Sequence, residues 1–77
     1  MTWCYRVVRT IEDDIVYAQI HEHYTGENFS DRGSITTEPV APYGEGSTKE
    51  EALEMLVEEL ERMLRATKKE ILNYEDF

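Results

Sequence analysis

The stretch from Ser47 to Lys69, STKEEALEMLVEELERMLRATKK, constrains what this chain can fold into more than any other. Leu53, Leu56, Val57, Leu60, Met63, Leu64 and Thr67 recur at steps of three and four. On a helix that spacing lines them along one side, and such a side is stable only when it is buried against something. The spacing therefore predicts an amphipathic helix on a platform made by the rest of the chain, with Leu60 in the middle of the buried stripe. Its start is marked by a capping box in either of two registers, Ser47 with Glu50 or Thr48 with Glu51. Glu50 and Glu51 in the first turn and Arg65, Lys68 and Lys69 in the last complement the helix dipole. No Gly or Pro stops the helix, so its end is expected anywhere between Ala66 and Asn73.

The platform is legible upstream. Trp3 to Thr10 alternates, with Trp3, Tyr5 and Val7 followed by Ile11 on one parity and Cys4, Arg6, Val8 and Thr10 on the other. After Glu12-Asp13-Asp14, the run Ile15 to Thr25 places Val16, Ala18, Ile20 and Tyr24 on one parity. A loop this short makes the two runs an antiparallel hairpin. With Asp13-Asp14 as a two-residue turn, Ile11 opposes Val16, Val7 opposes Ile20 and Trp3 opposes Tyr24, and this apolar face is the one expected under the helix. Thr25 to Gly33 is rich in turn residues and reads as a loop from which Phe29 reaches toward the core. Ser34 to Glu38 supplies a third strand, ended by Pro39. Pro39 to Gly46 crosses to the helix. Ile71, Leu72, Tyr74 and Phe77 make the tail too apolar to be simply solvated. It is expected to fold back onto the sheet, or else to dock on a neighbour. The fold predicted is α+β: a three-stranded antiparallel β-sheet, a meander, packed against one long C-terminal α-helix, with residues 1–77 as a single domain.

Size and charge restrict the function. A chain of 77 residues is near the lower limit for a self-sufficient core, so a homodimer or an unknown protein partner is expected. The net charge of −9 argues against a nucleic-acid or anionic-membrane surface. No apolar run suits a membrane span or a secretion signal, and Cys4 is the only cysteine, so a cytoplasmic setting is expected.

His21-Glu22-His23 is the one constellation resembling a site. Residues two apart on a strand share a face, so His21 and His23 are the candidate metal ligands, with a carboxylate and water completing the shell. The competing reading leaves both on the solvent face of the hairpin, with Glu22 at the sheet margin. Tyr43, between Pro42 and Gly44, and Tyr17, on the face away from the helix beside Ile15, are the candidate partner contacts. No phosphate loop, nucleophile elbow or divergent pair of carboxylates is present, so neither catalysis nor a cofactor is expected.

Gly46-Ser47-Thr48-Lys49-Glu50-Glu51-Ala52-Leu53, following a run of strands, resembles the segment that opens the helix of the HicB-like antitoxin fold. That resemblance implies strands followed by a helix. Between the second strand and the helix the chain departs from that family, since the Pro-x-x-x-Gly-Cys type of segment is absent. Over nearly its full length the chain is also similar to a group of short bacterial proteins with no established activity. The similarity is carried by Tyr5-Arg6-Val7-Val8, Ile20-His21-Glu22-His23-Tyr24, Glu38 to Glu45 and Ile71 to Asp76. It implies the same strands and helix in a bacterial cytosol, and no site. The function expected is that of a protein-binding or regulatory module, with a metal-binding protein using His21 and His23 as the alternative.

Overall fold

In the computed structural model, which describes residues 1–77, the hairpin is the longest feature. Asp13 and Asp14 both take positive φ, 52° and 65°. That is the backbone of a primed two-residue turn, whose twist matches the strands on either side. Strands β1 (Thr2–Glu12) and β2 (Ile15–Thr25) run antiparallel from it, with Trp3 opposite Tyr24, Val7 opposite Ile20 and Ile11 opposite Val16. Phe29 folds back from the following loop to stack on Tyr24, the ring centres 6.4 Å apart.

The third strand is shorter than its sequence suggests. β3 is Ser34–Ile35 and pairs antiparallel with β2. Beyond it the chain keeps to the edge of β2 through isolated bonds, Thr36 N–H to Glu22 O and Val40 N–H to Ile20 O. Pro39, which has no N–H, lies in the irregular stretch between them.

Helix α1 spans Lys49–Ala66, and its start follows the second of the two capping registers. The Thr48 hydroxyl accepts from the Glu51 N–H at 3.1 Å, and the Glu51 carboxylate accepts from the Ser47 N–H at 2.8 Å. The chain does not end on this helix. Leu72–Asn73 forms β4, a parallel neighbour of β1 in which Leu72 pairs with Val8 and Asn73 with Arg9. A 3-10 turn over Tyr74–Asp76 follows. The sheet is therefore four-stranded and mixed, in the order β3-β2-β1-β4, where an all-antiparallel sheet of three was expected. The apolar tail explains the difference: it supplies Leu72 to the β1 edge, which would otherwise present unpaired backbone.

The sheet has two unlike sides. α1 lies on the Trp3, Tyr5 and Val7 side as expected, marked by the Tyr5 hydroxyl donating to Glu59. The tail crosses the opposite side, where Tyr74 meets the edge of His21 and Phe77 that of His23, at centroid distances of 6.1 and 5.7 Å. Val8, fully buried, and Val7, nearly so, are the apolar strand residues at the centre. No helix of this fold is long and apolar enough to cross a membrane.

The helix presents a different side to the sheet from the one its leucines mark. Glu59, Met63 and Ala66 are buried, with Ala52, Met55 and Leu56 half-buried beside them. Leu53, Val57, Leu60 and Leu64 are 59, 44, 47 and 61% exposed. Close approach accounts for the rotation. A Cβ on Gly44 would come within 2.0 Å of Ala52 O and 2.7 Å of Leu56 N, so the crossing loop lies directly on the helix backbone at that flank. The small side chains of Ala52 and Ala66 suit such contact, and Glu59 turns inward to meet Tyr5. The tip of the hairpin is also bare, with Ile11, Ile15, Val16 and Tyr17 exposed. Strands of 11 residues reach about 36 Å, whereas a helix of 18 residues covers about 27 Å.

Candidate functional site

His21 and His23 occupy the tail side of the sheet, His21 buried and His23 half-buried. His21 is 1% exposed. Its Nδ1 donates to Thr36 O at 2.9 Å, and its Nε2 is buried without a partner. His23 Nε2 faces Arg32 O at 2.7 Å. The expected solvent-facing placement is overturned because the returning tail lays Tyr74 and Phe77 over these rings. Each imidazole thus has one nitrogen engaged by a backbone carbonyl, and no group of three or more His, Cys, Asp or Glu side chains is gathered as a metal site would need. Glu22 is half-buried on the other side of the strand and accepts from the Tyr24 hydroxyl at 2.9 Å, a bond that raises the Tyr24 phenol above its ordinary pKa.

Under the helix sits a polar cluster that the sequence does not announce. Glu59, 7% exposed, accepts from the Tyr5 hydroxyl through Oε2 and from Arg62 Nη1 at 3.1 Å through Oε1. A buried carboxylate is tolerated only when its oxygens are satisfied in this way. Burial and then the bond to Glu59 push the Tyr5 phenol up to about 12. The sole sequence signal for the cluster is Glu59 falling at helical spacing between Leu56 and Met63. Between the start of β1 and the end of α1 lies a cleft walled by Trp3, Cys4 and Tyr5 with Arg62, Arg65 and Lys69. Its cations are carried by the helix end, and Arg62 is already bound to Glu59.

The outer side of α1 carries a row of exposed apolar side chains. Leu53, Val57, Leu60 and Leu64 follow one another at steps of four, three and four, the spacing of a seam between two helices. At 100° per residue their mean direction lies about 120° around the axis from that of the sheet-facing set. Glu54, Glu58 and Glu61 border the seam on the side away from the sheet. Of the aromatic contacts expected from the sequence, Tyr43 is 57% exposed on the crossing loop and Tyr17 39% exposed near the hairpin tip. Both are accessible, and they lie on separate parts of the surface. Comparison with protein-family models, curated proteins and solved structures finds no match to this chain.

Proposed function

We propose that the chain works as a small protein-binding module whose contact face is the outer side of α1, and that its business is recognition rather than catalysis. The observation carrying this reading is the four-residue apolar seam, bare along about three turns of a helix whose other side is already packed on the sheet. Isolated exposed leucines are ordinary on protein surfaces, but a continuous row at interhelical spacing is the kind of patch that marks an interface. The exposed aromatic side chains Tyr17 and Tyr43 lie outside the seam and extend the accessible apolar surface.

The test is affinity purification of the tagged chain from nuclease-treated extract of its own cells, beside a Leu60→Asp, Leu64→Asp variant. A protein recovered in stoichiometric amount with the first and lost with the second is the expected result. Recovery of a solitary monomer from both would refute the reading.

A further inference from the structure

We infer that the protein occupying the outer face of α1 is a second copy of this chain, docked antiparallel across a two-fold axis near Leu60. The inference rests on the reading of that face as a contact surface and adds the identity of the partner. Three observations select a second copy.

The first is charge order. On the flank turned away from the sheet, Glu50, Glu54, Glu58 and Glu61 precede Arg65 near the helix end, and Lys68 follows in the turn just beyond it. A parallel copy would set this charged flank against the sheet-side flank of the other helix, around Leu56 and Met63, which offers it no row of opposite charges. An antiparallel copy sets each acidic half along the other's basic half and also opposes the two helix dipoles. With the axis just past Leu60, Leu60 lies by Leu60 of the second copy, Val57 by Leu64, and Glu58 within reach of Arg65, while Glu61 of one copy nears Glu61 of the other. The surface is self-complementary, as a two-fold interface requires.

The second is area. The protomer exposes 5844 Å², where a compact chain of 9.0 kDa exposes about 4,850 Å². The excess of about 1,000 Å², which the bare hairpin tip shares with the seam, leaves room for the roughly 800 Å² that each partner buries in a standard interface. The radius of gyration of 14.1 Å exceeds the roughly 11.5 Å of a compact domain of this length in the same sense.

The third is the inside. Only Val7, Val8, Met63 and Ala66 form the buried apolar core. Domains this small commonly draw part of their stability from association.

Sedimentation equilibrium of the full chain over a range of micromolar concentrations tests the inference. The expected mass is twice the 9.0 kDa of one chain, falling to a single chain in Leu60→Asp with an unchanged circular dichroism spectrum, because Leu60 is exposed in the protomer. Glu58→Arg alone and Arg65→Glu alone should each weaken the dimer about tenfold, since each change acts twice across the two-fold. The double variant should recover the affinity. A monomer at every concentration overturns the inference. The binding reading then survives only if the chain still retains a different protein that Leu60→Asp releases, and it falls too if none is retained. A dimer that Leu60→Asp leaves intact, or one whose charge reversals fail to compensate, also overturns the antiparallel pairing.

Discussion

The two apolar-bearing sides of α1 show how hydrophobicity and burial come apart in a small domain. The outer side carries three leucines and a valine and stays exposed; the inner side carries alanine, methionine and a carboxylate and is buried. Leucine would win on transfer free energy alone. What decides is fit. The inner side must accept a crossing loop that touches the helix backbone at Gly44 and a phenol arriving from β1, and small or flexible side chains with one hydrogen-bonding group meet those demands. The leucines are left on a surface that no other part of the chain covers.

Changes on the inner side should therefore hurt most. Met63→Ala removes a nearly buried side chain and should cost about 2–5 kcal/mol in chemical denaturation, a large part of the stability of a domain this size. An effect near zero would dissolve the distinction between the two sides.

Tyr5→Phe tests the polar component of the inner side. It leaves the buried Glu59 carboxylate with Arg62 as its remaining partner and should cost about 1–3 kcal/mol. It should also alter the alkaline limb of stability. Folded, Tyr5 keeps its proton up to about 12; unfolded, it releases it near its ordinary pKa of about 10. Between these values the unfolded chain gains by losing a proton that the folded chain holds. The Tyr5 contribution is thus whole below pH 10 and is lost as pH rises from about 10 to about 12. Melting in alkaline buffers should show a shallower decline in Tyr5→Phe than in the parent chain.

Thr48→Ala lies at the helix start, outside both sides, and bears on the frame they share. Loss of the bond from the Glu51 N–H should lower stability by about 1 kcal/mol, read from the denaturation midpoint, whereas Ser47→Ala should leave it nearly unchanged.

Local chemistry was readable from the sequence wherever one short segment decided the outcome. Asp13-Asp14 gave the hairpin register, the two overlapping capping boxes gave the helix start to within one residue, and the apolar tail pointed to a docked end, on the sheet or on a neighbour. The rotation of the helix was not readable. Periodicity reports that an apolar stripe exists, and it does not say whether a sheet or another molecule covers it. The 4-3-4 steps of Leu53, Val57, Leu60 and Leu64 are the seam spacing, and they were the available hint. The histidines were placed wrongly for a related reason. Their solvated appearance depended on a face that is covered only once Tyr74 and Phe77, some fifty residues later, come back over it.

The most direct measurement sets Leu60→Ala beside Met63→Ala in denaturation at a dilute and at a high protein concentration. Met63→Ala should lose about 2–5 kcal/mol at both. Leu60→Ala should lose less than about 0.5 kcal/mol when dilute, as an exposed position does, and should weaken the concentration dependence expected of the parent chain. A loss for Leu60→Ala as large as for Met63→Ala at both concentrations would mean that the leucine seam is the protomer's own core, and would contradict the account.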